Sequence, residues 1–87
     1  MAPAQIESLL ALLRAAQEQP LTTLRAGIAQ SMTLDLESRR ARDSILEELD
    51  RFTQAQATSA SPEFRAWLGR TIPEYEQWLA RIVKPGP

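Results

Sequence analysis

Phe64, Trp67 and Arg70 are repeated eleven residues later by Tyr75, Trp78 and Arg81. Their chemistry is recognition rather than reaction. Trp, Tyr and Arg anchor interfaces because each buries a large area and still offers a hydrogen-bond donor. With Ile82 they form the candidate protein-binding set. A second cluster, Arg39, Arg40 and Arg42, carries the side chain that neutralises phosphates, and is the candidate nucleic-acid contact. Reactive chemistry has few parts. The chain has no histidine and no cysteine. Ser-His and Cys-His nucleophiles, thiolate chemistry and imidazole or thiolate metal sites are therefore excluded. Glu47 and Glu48 are neighbours and point to different sides of a helix, so they make no acid–base pair. No glycine-rich phosphate loop occurs. The expectation is a protein that is not an enzyme and takes no cofactor.

Eleven residues make three helical turns of 3.67 residues, so the repeat places Phe64 over Tyr75 and Trp67 over Trp78. Leu68, Ile72, Leu79, Ile82 and Val83 join the same stripe. An apolar stripe at helical spacing is ordinarily core. Part of it can instead be a partner-binding face, edged by Arg70 and Arg81. A third reading is an amphipathic helix lying in a membrane interface. Glu63, Glu74 and Glu76 oppose it by leaving the segment almost neutral.

The three arginines of Glu37-Ser38-Arg39-Arg40-Ala41-Arg42-Asp43 are spread around a helix and interleaved with acids. Asp35 with Arg39, Arg39 with Asp43 and Glu47 with Arg51 stand at i, i+4, and Glu37 with Arg40 at i, i+3. That pattern describes a salt-laced helix, with nucleic-acid contact as the alternative. Asp43-Ser44-Ile45 resembles the Asp-Ser-Leu of acyl carrier proteins over three residues. The arginines before it differ from that family's approach, and the match counts as coincidence.

These side chains must be positioned by helices. Only three glycines occur, and Ala, Leu, Gln, Glu and Arg dominate without strand-like alternation. The expected class is all-α: a small bundle of three helices, or four if the second one breaks. The first helix covers about 4–18, with Ile6, Leu9, Leu10, Leu13 and Ala16 at i, i+3, i+4, i+7 spacing. Its polar strip of Glu7, Arg14 and Glu18 is narrow, so it is covered on more than one side. The second helix follows Pro20 and covers about 21–56. One stripe runs through Leu21, Leu24, Ile28 and Met32, and another through Leu34, Ala41, Ile45, Leu49 and Phe52. The two are offset by about a quarter turn. A break near 33–35 is one reading, but no glycine or proline marks it, which favours continuity. A continuous helix would be about 54 Å long, too long for the rest of the chain to cover. The polar turn 53–61 leads into Ser61-Pro62-Glu63, with Ser61 as cap. The last helix covers about 62–83, kinked at Pro73 or restarted there by Thr71-Ile72-Pro73-Glu74, and Lys84-Pro85-Gly86-Pro87 ends it.

With 87 residues the chain makes one domain with a thin core. Self-association is the expected way to complete that core, as a dimer or larger homo-oligomer. Ten basic residues against eleven acidic ones give a net charge of −1, no footprint for nucleic acid or an anionic membrane. The absence of cysteine suits a reducing compartment, so a cytoplasmic location is expected. The N-terminal stretch is not read as a signal peptide, because no basic residue precedes its apolar run and Glu7 interrupts it. The functional expectation is protein–protein interaction, as a small helical adaptor, chaperone, inhibitor or accessory subunit. Nucleic-acid association and peripheral membrane binding are the alternatives.

Overall fold

The computed structural model describes residues 3–83, with side chains through Ile82. Four α-helices form: α1 (Pro3–Ala15), α2 (Leu21–Ala29), α3 (Leu36–Gln54) and α4 (Pro62–Val83). The described residues contain no strand. The all-α bundle expected from composition is present, in its four-helix form. The expected stop at Lys84-Pro85-Gly86-Pro87 and the side chain of Val83 lie outside the described residues.

The helices run up, down, up and down. At one end the Ser59 hydroxyl donates to the Gln19 carbonyl, joining the α3–α4 turn to the α1–α2 junction. At the other end the Leu34 backbone N–H donates to the Gln5 side chain at 2.8 Å. Arg14 on α1 pairs with Glu76 on α4 at 2.5 Å, and Arg25 on α2 with Asp50 on α3 at 2.6 Å. All four side chains are about half-exposed, so these pairs set register more than they stabilise. α1 packs closely on α4, and α2 closely on α3.

α1 is the most enclosed helix for its length. Ile6, Leu9, Leu10, Leu13 and Ala16 are fully buried, as their spacing requires. α2, α3 and α4 all pack against α1 within one chain. The narrow polar strip of α1 is thereby explained without a second molecule. Gly27 on α2 faces Leu12 of α1: a Cβ there would stand 3.1 Å from the Leu12 side chain, so the missing side chain lets the two helices approach.

The continuous second helix is corrected. α2 ends at Ala29 and α3 begins at Leu36. Neither glycine nor proline is needed, because side chains satisfy both ends. Ser31 donates its backbone N–H to the Ile28 carbonyl and its hydroxyl to the Gly27 carbonyl, at 3.1 and 3.0 Å. Gln30 N–H closes on Ala26. Six residues later Asp35 caps α3: its carboxylate accepts the Ser38 N–H at 2.8 Å and the Ser38 hydroxyl at 3.0 Å. Ser38 is fully buried, and this carboxylate is its hydroxyl's partner. With the break, α3 folds back on α2, so the unsupported 54 Å rod that argued for an oligomer does not form.

α3 ends on Gln56, whose φ of 59° is left-handed. The Gln56 and Ala57 N–H groups donate to the Thr53 and Phe52 carbonyls, the paired bonds of a Schellman ending in which glycine is the usual residue. Ser61 stands at the expected cap position, but its hydroxyl accepts the Thr58 N–H at 2.7 Å, tightening the turn instead. α4 then runs without restarting, and Pro73 lies inside it. The bond from residue 73 to the Gly69 carbonyl is lost, and both residues are on the solvent side.

Two substitutions test these backbone readings. Gly69 lies inside a helix, and a Cβ there meets nothing within 4 Å. Gly69→Ala should raise stability by about 0.5–1 kcal/mol. Gln56→Gly should relieve the left-handed residue and stabilise by about 1 kcal/mol. Urea titrations of both variants check the two values, and a loss of stability in either contradicts the assignment.

Candidate functional site

The residues expected to bind a partner divide sharply. Phe64 is fully buried, and Trp67 and Tyr75 are only 7% and 9% exposed. Phe64 and Trp67 stack at 5.7 Å, and Phe52 meets both edge-on at 5.4 and 5.7 Å. These rings fill the seam between α3 and α4. Burial removes Phe64, Trp67 and Tyr75 from the candidate binding face. Trp78 and Ile82 are half-buried against the core, and Trp78 meets Tyr75 edge-on at 5.7 Å. Arg70 and Arg81 are exposed.

Tyr75 is the chain's single tyrosine. Its hydroxyl donates to the Ala41 carbonyl at 3.4 Å, which ties α4 to α3. Burial, assisted by the neighbouring charge of Glu74, pushes its pKa up to about 12. A phenol held neutral in this way is a packing residue, not a proton donor near neutral pH.

The arginine cluster does not converge. Arg39 and Arg40 are exposed on successive positions of α3, roughly 100° apart. Arg42 is turned onto its neighbour Asp43, with Nε and Nη2 at 3.2 and 3.1 Å from one carboxylate oxygen. Arg51 pairs with Glu48 at 3.1 Å, three residues before it, where the expected partner was Glu47. Ser44, of the Asp43-Ser44-Ile45 stretch, is an exposed mid-helix residue.

Two grooves flank α4. One, of about 400 Å³, lies between α1 and α4, lined by Glu7, Leu10, Arg14, Glu76, Leu79 and Ala80 and bridged by the Arg14–Glu76 pair. The other, of about 340 Å³, lies between α3 and α4, walled by Glu48, Arg70, Glu74 and the buried rings. Both mix acids and bases. The second also carries the hydroxyl residues Ser44 and Thr71 among its carboxylates.

Of the surface that stands out, Met32 and Leu34 were expected to be core, and Leu36 belonged to neither stripe. Met32, Leu34 and Leu36 are 66%, 75% and 58% exposed. Met32 and Leu34 belong to the connection between α2 and α3, which is extended at Asp35 (φ −99°, ψ 162°), and Leu36 is the first residue of α3. In an extended chain alternate side chains point to opposite sides. Thr33 is buried and Asp35 reaches in to cap α3, while Met32 and Leu34 point outward from the connection and Leu36 from the first position of the helix. Both helical stripes drawn through Met32 and Leu34 are corrected, because neither residue is helical. The available signal was the apolar–polar alternation of Met32-Thr33-Leu34-Asp35-Leu36, a period of two inside a helical sequence. No helix among the described residues is long and apolar enough to cross a membrane.

Two measurements test the placement of the rings. Trp67→Ala should cost about 3–5 kcal/mol, the range for emptying a core aromatic site, while half-buried Trp78→Ala costs clearly less. Thermal melts of the two variants compare them, and equal losses contradict the difference in burial. Tyr75 should titrate near pH 12 rather than pH 10. A pKa raised by folding contributes stability that is whole below the unfolded value, about 10, and is lost as pH rises through 12. Phenolate absorbance should therefore lag that of a free tyrosine and rise with loss of helicity. Ionisation at pH 10 with the fold intact would show Tyr75 to be solvated.

No known protein family, no curated protein and no solved structure matches the chain, so its functional reading rests on its own surface.

Proposed function

We propose that this chain is a non-enzymatic protein-interaction domain, a small helical adaptor or accessory subunit, that docks through Met32, Leu34 and Leu36. The supporting observation is their joint exposure, at the end of the α2–α3 connection and the first residue of α3. Single exposed apolar residues are commonplace on proteins. Three large ones on five consecutive positions form a contiguous patch, and patches of a few hundred Å² mark interaction sites. Met32 and Leu34 lie on the connection and Leu36 at the start of α3, outside that helix's buried face, so covering them disturbs no core residue. With no histidine and no cysteine in the chain, the catalytic alternatives have no imidazole or thiolate to work with.

The test is a surface variant, Met32→Ser/Leu34→Ser/Leu36→Ser. Its melting temperature should stay close to that of the parent, because no buried contact is removed. Proteins captured from native-cell extract by the parent chain should be lost by the variant. Each side chain buried at an interface contributes about 1 kcal/mol or more, so the triple change weakens binding by at least about 100-fold. Retention of the same partners by both chains would overturn this surface.

A further inference from the structure

We infer that the C-terminal part of α4, residues 74–82, opens as a separate cooperative unit about the turn Gly69–Pro73, while α1, α2, α3 and the first part of α4 stay folded. The first ground is the backbone. Pro73 lies inside α4 and has no N–H to give to the Gly69 carbonyl, which its ring also crowds. A proline disfavours helical angles at the residue before it, here Ile72. Gly69 is itself a poor helix former, and no neighbour requires it, since a Cβ there meets nothing within 4 Å. The eleven-residue repeat carries Ala80 at the equivalent position. The missing bond and the least helical residue of α4 therefore fall on one turn. Unwinding that begins at the C-terminal end reaches this turn and there releases the crowding of the proline.

The second ground is burial, which differs on the two sides of that turn. Before it, Phe64 and Leu68 are fully buried and Trp67 and Thr71 nearly so. Phe64 and Trp67 also pack on Phe52 of α3, which anchors this part to the bundle. After it, Tyr75 is buried, but Trp78, Leu79 and Ile82 are only partly so. The polar ties of this part are weak. The Tyr75 hydroxyl stands 3.4 Å from the Ala41 carbonyl, long for a hydrogen bond between oxygens. The Arg14–Glu76 pair is about half-exposed. The groove of about 400 Å³ toward α1 runs along Glu76, Leu79 and Ala80, so space separates this part from α1.

The third ground is length. A helix shorter than about 12 residues is marginal in water once its packing is lost. A detached 74–82 segment therefore unwinds, and its amides lose their bonds together rather than swinging out as a rigid rod. Opening uncovers the side of α3 at Ala41 and the side of α1 at Leu10, both buried in the closed form. The segment is thus a releasable cover over apolar surface, separate from the Met32–Leu36 patch.

Native-state hydrogen exchange of the full chain, read residue by residue by NMR, tests this. The amides of 74–82 should share one protection factor, at least about 10-fold below that of 67–72, with the step falling at Pro73. Two variants separate local from global opening. Pro73→Ala supplies the missing N–H and removes the crowding, and should raise the protection of 74–82 at least about 10-fold. Ile28→Val, at a fully buried site on α2, weakens the body of the bundle. It should lower the protection of 67–72 by about 3–10-fold and leave 74–82 unchanged. Protection that declines smoothly toward the C-terminal end is fraying and overturns the unit. So does a 74–82 segment as protected as 67–72, or an equal loss in both parts on Ile28→Val. No gain in 74–82 on Pro73→Ala overturns the role of the Gly69–Pro73 turn.

Discussion

The fold turns on how six residues, 30–35, reverse the chain between α2 and α3. Each helix end must have its free backbone groups satisfied before the chain can turn. Here Ser31 closes one helix and Asp35 opens the next, while Gln5 on α1 holds the Leu34 N–H between them. The turn is thus built from side-chain hydrogen bonds and tied to a third helix. Its consequences run through the whole bundle. α3 is folded back on α2, which leaves α1 free to sit against α2, α3 and α4 together. Without the turn, the apolar residues of α1 and α3 would lie on opposite ends of a rod and no common core could close.

The broad architecture was legible in the sequence because burial has a period. The residues that spacing selected, Ile6, Leu9, Leu10 and Leu13 of α1 and Ala16 in the 3-10 turn after it, are all fully buried, and Ala41, Ile45 and Leu49 form the buried face of α3. The break near 33–35 was one of two readings that the sequence left open, and it was the less favoured one. Propensity marks a helix end by glycine or proline, but Ser31 and Asp35 act through geometry that appears only when the ends exist. Offset stripes were the trace they left. Met32 fell at the end of one stripe and Leu34 at the start of the next, so a periodic reading assigned both to the core. The exposed surface was missed for the same reason. Its alternation spans five residues, too few to compete with the helical periods on either side.

The eleven-residue repeat was read correctly as one face of one helix, and its rings show why a repeat need not mean a binding surface. Phe64 and Trp67 join Phe52 to fill the wide seam between α3 and α4, a space that leucine would leave partly empty. One repeat later, Tyr75 reaches the Ala41 carbonyl, while Trp78 and Ile82 remain half-buried toward the end of the helix. The same spacing therefore serves a deep site and a shallow one. Sequence reports that such residues share a face; it does not report how far the neighbouring helix extends along that face.

The outward direction of Met32, Leu34 and Leu36 follows from the register of the turn. Its inward side is occupied by polar groups: Thr33 is buried, and Asp35 holds the N–H and the hydroxyl of Ser38. Shifting the segment by one residue would bury the three apolar side chains, but would also withdraw the carboxylate from α3 and leave the hydroxyl of Ser38 unpaired in the core. Burying leucine and methionine at that expense breaks the helix start on which the reversal depends. The capping requirement thus decides against the hydrophobic one at this point of the chain. The apolar residues are held in water by the same bonds that close the bundle.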